Sequence, residues 1–188
     1  MGVTPVELSK QVLSALKERN DLDTSQVEDV IFGCVSQVKD QSANIAKSAA
    51  MAAGFGDHLC GVSLNRFCGS GLESINVASA NVKAGYNDLI IAGGVESMSR
   101  VPMGSDGAGP FMDPMLMMPD NVVPQGVSAD LIATRSGYSR DDVDKFGAES
   151  QKRAVEAEKA KRFASRIPVK DINGVSILET DENIRPGT

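Results

Sequence analysis

The sequence predicts an α/β fold in which helices cover a mixed, mostly parallel sheet. Three short apolar segments, "VEDVIFG", "GVSLNRF" and "DLIIAGG", have the length and β-branched content of buried strands, the first running from Val27 to Phe32. Segments with helical spacing separate them, and strands that alternate with helices of this length form parallel βαβ units with right-handed crossovers. Residues 1–100 are therefore expected to form one α/β layer.

The helices between and before these strands have their own sequence signals. The first opens with Thr4 as N-cap, Pro5 at the first helical position and Glu7 three residues after the cap. Its apolar face consists of Leu8, Val12, Leu13 and Leu16. The alanine-rich "SANIAKSAAMAAG" predicts a closely packed helix that ends at Gly54, and helical spacing resumes over 71–85.

The character of the chain changes after Arg100. The stretch "VPMGSDGAGPFMDPMLMMPDNVVPQG" is rich in Pro, Gly and Met and has no clear period. Long loops of this kind inside compact domains are usually functional or disordered. A short helix is expected over 128–136, and the capping box at 139–142 predicts a longer helix through about Lys161.

The end of the chain predicts a hairpin. In "RIPVKDINGVSIL", Asn173 and Gly174 are expected to form a type I′ turn between two short strands. Residues 101–188 have too little core to stand as a second full domain, so they are interpreted as an excursion from the α/β layer. The predicted organisation is thus an α/β domain over 1–100 and an inserted helical and hairpin segment over 101–188.

Composition argues against several classes of function. With 25 acidic and 19 basic side chains and a formal net charge of −6, the chain is not expected to have a general affinity for nucleic acid or for an anionic membrane. Its longest apolar segments are too short to span a bilayer, and its N-terminus lacks the basic-then-apolar pattern of a signal peptide. A cytoplasmic location is therefore expected.

The cysteines give little support to a metal site or a disulfide framework. Cys34, Cys60 and Cys68 are an odd number without C-x-x-C spacing, and His58 is the only histidine. Neither a structural disulfide nor a Cys/His zinc site is predicted. Cys34 and Cys60 fit better as small buried side chains, and His58 as a solvated loop residue rather than a base.

Cys68 lies where a strand gives way to a helix. Its position after "GVSLNRF" predicts that its sulfur is near the carboxyl end of a parallel strand, where open α/β sheets place ligands. The N-terminus of the following helix favours the thiolate over the thiol, and Gly69 and Gly71 permit a sharp turn and close substrate approach. From these residues alone, a nucleophile and a small buried side chain both remain open.

Four motifs at their spacing resolve this choice by resemblance. "VEDVIFG", "NRFCGSGLESI", "DLIIAGGVESMSRVP" and "TDENIRPGT" together resemble the N-terminal half of the thiolases, the acetyl-CoA C-acyltransferases, over essentially the whole chain. The stretch "GVSADLIATRSGYSRDDVDKFGAESQKRA" resembles the helical part of the loop domain that thiolases insert into this half. The resemblance implies a thiolase-type layered fold and a CoA-dependent acyltransferase.

The resemblance also implies site residues. Cys68 in "NRFCGSG" matches the acyl-accepting nucleophile, and Arg185 in "DENIRPGT" matches an arginine that contacts the nucleotide end of CoA. Leu116 corresponds to an apolar loop-domain residue that packs on the pantetheine. Pro124 stands where some short-chain biosynthetic members have histidine, so acetoacetyl-CoA is not assumed to be preferred. Glu96, in "GGVESMSR", is expected to have a structural role in turn hydrogen bonds.

The implied reaction transfers an acyl group between CoA thioesters, which are substrates and not permanently bound cofactors. Thiolases take their remaining catalytic groups from the C-terminal half: an Asn-Glu motif, a Gly-His-Pro histidine and a second cysteine. None of these motifs occurs here. The C-terminal thiolase domain is therefore expected to be absent from this chain, and the chain is expected to be inactive alone.

The resemblance implies more strands than the sequence contains. A strand and an "RTP" segment normally precede the helix that starts at Thr4, and that strand lies in the middle of the sheet, so three strands are expected instead of five. The chain is interpreted as a fragment of a thiolase or as one half that pairs with a C-terminal partner. The complete enzyme is expected to be a homodimer or homotetramer. Exposed sheet edges and an incomplete core predict poor solubility or association with another chain.

Two rival functions share features with this sequence. A ketoacyl synthase shares the fold, but its elbow typically reads Ala-Cys-Ser-Ser, unlike "NRFCGSG" here. A non-catalytic acyl-CoA or lipid-binding protein could retain the half-fold without the chemistry. That alternative predicts acyl-CoA binding that survives removal of the Cys68 thiol.

Overall fold

A computed structural model describes residues 2–107, 109–117 and 123–187, without the side chains of residues 110, 111, 116 and 117. The chain forms two compact units. The first comprises Met1–Gly107 and Val169–Ile177, and the second comprises Ala108–Pro168 and Leu178–Thr188.

The first unit is built on a three-stranded parallel sheet. Its strands are β1 (Asp29–Gly33), β2 (Cys60–Leu64) and β3 (Ile90–Gly94), in the order β2-β1-β3. Gly33 at the end of β1 is in register with Leu64 of β2 and with Gly94 of β3. The predicted parallel sheet is confirmed. β1 occupies the middle and pairs directly with both β2 and β3. Within the described residues, the additional central strand that the resemblance implies is not part of this sheet.

Three helices accompany this sheet. They are α1 (Pro5–Asn20), α2 (Ile45–Ala52), which connects β1 to β2, and α3 (Ser70–Lys83), which connects β2 to β3. The predicted start of α1 is confirmed, because Thr4 Oγ1 accepts a hydrogen bond from the Glu7 backbone N–H at 3.2 Å. The α1 helix ends at Asp21, which adopts a left-handed backbone with φ 46°.

The core of the first unit lies between the sheet and helices α1 and α2. Small side chains on α2 let it approach the strands closely, and burying large apolar side chains is the main stabilising contribution. The buried cluster consists of Leu13, Val27, Val30, Phe32, Ala46, Ala49, Ala50, Phe55, Leu59 and Ile91.

Open apolar surface flanks β3. Within the described residues, the sheet order leaves the outer edge of β3 unpaired. A groove of about 400 Å³ on the α1 side is lined by Val12, Leu16 and Ile91 among others, and one of about 380 Å³ on the α3 side by Ile75 and Val82. An exposed edge was predicted, and the association expected from it stays a prediction.

The second unit contains four helices in its described part. They are α4 (Gly109–Met112), α5 (Pro114–Met117), α6 (Gln125–Arg135) and α7 (Arg140–Lys159). The predicted capping box of α7 is confirmed: Ser139 Oγ accepts from the Asp142 N–H at 3.2 Å, and the Asp142 carboxylate accepts from the Ser139 N–H at 2.9 Å. The structure confirms the shorter predicted helix as well, with its start at Gln125 rather than residue 128.

The predicted hairpin forms, but the type I′ turn is wrong. Strands β4 (Val169–Lys170) and β5 (Ser176–Leu178) pair, and only Gly174 in the turn has positive φ, at 80°. A type I′ turn needs positive φ at Asn173 as well. Instead, the Asp171 carboxylate accepts from the Asn173 and Val175 N–H groups, both at 2.9 Å, which makes a longer turn with one left-handed glycine.

The hairpin is joined to α1 by one side chain. Gln11 Nε2 donates to the Lys170 carbonyl and Gln11 Oε1 accepts from the Lys170 N–H, both at 2.9 Å. This pair of bonds explains why Val169–Ile177 belongs to the first unit. Among the described helices of both units, none is long and apolar enough to span a membrane.

Candidate active site

Cys68 lies in the turn between β2 and α3. The strand ends at Leu64 and the helix begins at Ser70, so the cysteine is at the carboxyl end of a parallel strand, as its sequence position predicts. Its side chain is exposed. Within this chain, Cys68 is therefore not a buried side chain.

The other two cysteines differ from each other. Cys34, directly after β1, is fully buried, as predicted. The prediction that Cys60 is buried was wrong, because its side chain is exposed at the start of the edge strand β2. In the part of the chain that the structure describes, β2 pairs with β1 alone, so side chains along it receive less cover than those of β1.

Short hydrogen bonds fix the turn around Cys68. Asn65 Oδ1 accepts from the Phe67 N–H at 2.7 Å. Ser70 Oγ accepts from the Arg66 N–H at 2.8 Å and donates to the Phe67 carbonyl at 2.6 Å. Phe67 has φ 47°, a left-handed conformation that is uncommon for a large side chain and persists only where surrounding contacts enforce it. The chain turns sharply just before the cysteine as a result.

The first turn of α3 packs directly against the end of β1. A Cβ atom on Gly33 would lie 2.4 Å from the Ser70 carbonyl carbon and 2.7 Å from the Gly71 nitrogen, so only glycine fits there. The buried Ser74 hydroxyl is 2.7 Å from the Gly71 carbonyl and 2.8 Å from the Gly93 carbonyl, which ties α3 to β3. The helix that follows Cys68 is thereby held against two strands.

The N-terminus of α3 faces the site without a side-chain cap. Its N-cap is Gly69, which has no side chain to bond the N–H groups of the first turn. Such groups, together with the positive end of the helix dipole, stabilise negative charge. Arg66 forms an ion pair of 2.9 Å with Glu73 in that turn. The first turn of α3 therefore suits an oxyanion on a group bound to Cys68.

A second polar cluster lies at the carboxyl ends of β1 and β3. The Glu96 carboxylate accepts hydrogen bonds from the Val35 N–H, from the Ser36 N–H at 3.3 Å and from Gln41 Nε2 at 2.9 Å. The expected structural role of Glu96 in turn hydrogen bonds is confirmed. Gln41 is fully buried, and its Oε1 accepts from the Ser97 N–H at 2.7 Å.

Burial raises the pKa of the Cys34 thiol to about 11, and the negative charge of nearby Glu96 adds to the effect. Iodoacetamide at neutral pH is therefore expected to label Cys60 and Cys68 in the folded protein and to leave Cys34 unlabelled. Peptide mass spectrometry with and without urea measures this. Labelling of Cys34 in the absence of denaturant would contradict the expectation.

The same thiol makes stability depend on pH. Folded Cys34 keeps its proton up to about pH 11, whereas the unfolded thiol loses it near its ordinary pKa of 9.0. The unfolded state then binds fewer protons, so the free energy of unfolding falls as pH rises from about 9 to about 11. We expect a steeper fall in the wild-type chain than in Cys34→Ala, measured by urea denaturation across this range. Equal slopes would contradict the prediction.

The other predicted site residues lie in the second unit. Arg185 is exposed, and its backbone N–H donates to Gln151 Oε1 of α7 at 2.7 Å, which holds the end of the chain on that helix. Leu116 is in α5, but its side chain lies outside the described residues. Their contacts with CoA stay predictions.

His58 cannot assist Cys68 in this fold. It is an exposed loop residue just before β2, as predicted, whereas Cys68 follows the same strand. Five strand residues span about 16 Å, so the two side chains start from opposite ends of β2. Among the residues that the structure describes, no cluster of three or more His, Cys, Asp or Glu side chains could hold a metal ion.

Sequence reasoning missed the residues that shape the turn. Asn65 and Ser70 flank the cysteine, and both belong to residue types that often bond nearby backbone groups. That chemistry is a usable local signal. Gln41 had no such signal, because its partners Ser97 and Glu96 are 56 and 55 residues away in sequence.

Comparison with known proteins places this geometry in a family. The family model described as "Thiolase, N-terminal domain" matches residues 1–188. The 3-ketoacyl-CoA thiolase of Marinobacter nauticus is 38% identical over 188 residues, covering 96% of this chain and 47% of the relative. That of Colwellia psychrerythraea is 36% identical over 187 residues, covering 96% and 48%.

A solved structure gives the same result. The crystal structure of the Bacillus anthracis acetyl-CoA acetyltransferase superposes with a TM-score of 0.81 at 28% identity, covering 98% of this chain and 50% of the other. The chain thus spans about half the length of the curated relatives it matches. It belongs to the thiolase family and contains that family's N-terminal domain.

Proposed function

We propose that this chain supplies the acyl-accepting nucleophile, Cys68, of a thiolase-type acyltransferase that acts on CoA thioesters. The observation that carries the proposal is an exposed thiol at the uncapped N-terminus of α3, in a turn fixed by hydrogen bonds. Family membership supports the same reaction class. The relatives' names, 3-ketoacyl-CoA thiolase and acetyl-CoA acetyltransferase, indicate 3-oxoacyl-CoA and acetyl-CoA as the substrates.

The proposed reaction has two steps. The Cys68 thiolate attacks the ketone carbon of a 3-oxoacyl-CoA and forms a carbon–sulfur bond. The bond from that carbon to the α-carbon breaks, and its electron pair stays on the α-carbon, which takes up a proton and leaves as acetyl-CoA. The thiol of a second CoA then loses its proton, accepts the acyl group and regenerates the Cys68 thiolate. The reverse sequence condenses two acyl units.

This chain supplies only some of the groups that the reaction needs. The α3 N-terminus stabilises negative charge next to Cys68. The proton transfers also need a general acid and base, and His58 is at the opposite end of β2 from Cys68. We assign the acid and base to groups outside this chain. Arg185 and Leu116 are proposed to contact the nucleotide and pantetheine parts of CoA.

The proposal is tested by covalent labelling. We expect purified chain incubated with acetyl-CoA at neutral pH to gain one acetyl group, located on Cys68 by peptide mass spectrometry. Cys68→Ala is expected to reduce the adduct to background, whereas Cys60→Ala, which also removes an exposed thiol, leaves it unchanged.

Two outcomes would contradict the proposal. One is a Cys68 thiol that reacts with acetyl-CoA and iodoacetamide no faster than free cysteine. The other is acyl-CoA binding that persists in Cys68→Ala with no covalent adduct in the wild-type chain, which is the result expected of a non-catalytic binding protein.

A further inference from the structure

Asn65 connects the Cys68 turn to a neighbouring strand. Its Oδ1 accepts from the Phe67 N–H at 2.7 Å within the turn, and its Nδ2 donates to the Val35 carbonyl at 3.2 Å. Val35 follows β1, whereas the turn follows β2. One amide therefore links the cysteine-bearing turn to the end of the central strand.

Val35 is in turn held by Glu96. The Glu96 carboxylate accepts from the N–H of the same residue whose carbonyl Asn65 uses, and it also accepts from the Ser36 N–H at 3.3 Å. Glu96 follows β3. The hydrogen bonds thus run from the end of β3 through Val35 at the end of β1 to the turn after β2.

This series of bonds ends at Phe67, whose backbone conformation is strained. A phenylalanine with φ 47° relaxes to an ordinary backbone unless its neighbours prevent it, and strained residues of this kind concentrate at functional sites. Asn65 bonds the amide of that very residue, and Cys68 is the next residue in the chain. Neither Asn65 nor Glu96 is buried, so their side chains do not contribute to the apolar core.

We infer that Asn65 and Glu96 are positioning residues that act in series through Val35 to hold Cys68 at the N-terminus of α3. The biological meaning of this arrangement rests on the proposed function of Cys68. Loss of either residue lets Phe67 relax and changes the position of the sulfur at the start of α3, on which the rate of its alkylation depends.

The test compares two cysteines in one molecule. Iodoacetamide labelling rates are measured at Cys68 and at exposed Cys60, while far-UV circular dichroism reports whether each variant is folded. We expect Asn65→Ala and Glu96→Ala each to lower the Cys68-to-Cys60 rate ratio about tenfold, a size typical of coupled polar contacts. Because the residues act in series, the double variant is expected to show about the same tenfold loss and not about a hundredfold.

A matched control removes a similar carboxylate at the amino-terminal ends of the strands, opposite the end where Glu96 lies. Glu28 accepts from the Asp88 N–H at 2.7 Å and from Asn87 Nδ2 at 3.0 Å, just before β1. Glu28→Ala is expected to leave the ratio unchanged. General unfolding would instead reduce the far-UV circular dichroism of the variant. If one single variant is unfolded, the labelling ratio of the other single variant tests the inference.

Several outcomes would overturn the inference. They are an unchanged or raised ratio in a single variant that stays folded, and losses that multiply in the double variant. Acetyl-CoA labelling of the wild-type chain distinguishes this result from failure of the proposed function. No acetyl adduct together with a lowered alkylation ratio rejects the function and retains the positioning, whereas an adduct with unchanged ratios does the reverse.

Discussion

Gly33→Ala is expected to lower the free energy of unfolding of the first unit by about 1–3 kcal/mol, the usual cost of overpacking. The added Cβ would lie 2.4 Å from the Ser70 carbonyl carbon and 2.5 Å from its oxygen, and backbone atoms cannot rotate away as a side chain can. Either β1 or the first turn of α3 must shift. We therefore expect slower alkylation of Cys68 as well, with stability measured by urea denaturation and labelling by peptide mass spectrometry.

Gly93→Ala is the matched control for this prediction. A Cβ atom on Gly93 would meet the ring of Phe32 at 3.6 and 3.9 Å, which is ordinary van der Waals contact. Its stability is expected to stay within about 1 kcal/mol of wild type, the size of glycine-to-alanine effects at compatible sites. Equal losses in the two variants would show that the close approach of α3 to Gly33 is not the cause.

Gln41→Leu is expected to destabilise the first unit by about 2–6 kcal/mol, since each buried polar group left without a partner costs about 1–3 kcal/mol. Gln41 is fully buried, accepts from the Ser97 N–H and donates to the Ser36 carbonyl at 3.0 Å. Leucine can replace neither bond, and both Ser36 and Ser97 are buried. The midpoint of urea denaturation is expected to fall accordingly.

An exposed glutamine serves as the comparison. Gln26 is exposed; its Nε2 donates to the neighbouring Ser25 hydroxyl at 3.3 Å, and its side chain also bonds the exposed Asp23 carboxylate. Gln26→Leu is expected to change stability by no more than about 0.5 kcal/mol, as for most surface substitutions. If Gln41→Leu were as mild, the polar cluster beside Glu96 would contribute little to the fold.

Local patterns were sufficient for most elements of the fold. The apolar segments that became β1, β2 and β3 and the caps at Thr4 and Ser139 depend on residues close together in sequence, and the structure confirms them. The start of β1 differs by two residues, because a short 3₁₀ turn over Thr24–Gln26 precedes it. Local spacing could not show where that turn ends.

The errors have identifiable physical causes. An Asn-Gly pair signals a tight hairpin, but the Asp171 carboxylate bonds the Asn173 and Val175 N–H groups and stabilises a longer turn. Cys60 is exposed because β2 is an edge strand, and strand order cannot be obtained from the sequence of one strand.

The candidate site also combines features that depend on local sequence with features that depend on strand order. The position of Cys68 at a strand-to-helix boundary is a local property and was predicted correctly, but the choice of Cys68 as nucleophile came from the resemblance of four motifs along the chain. The bonds from Glu96 to Val35 join residues 61 positions apart and exist only because β1 and β3 are neighbours in the sheet. No spacing rule relates those two residues, so the series of bonds behind the turn required coordinates.

The return of Val169–Ile177 to the first unit makes Ala108–Pro168 a closed loop in the polymer sense. The entropy cost of closing such a loop grows only with the logarithm of its length, so doubling the inserted segment costs about 0.6 kcal/mol. Insertions and deletions between its helices are therefore cheap for the first unit. The Gln11 bonds to Lys170 fix one point at which the chain returns to the first unit after the inserted segment.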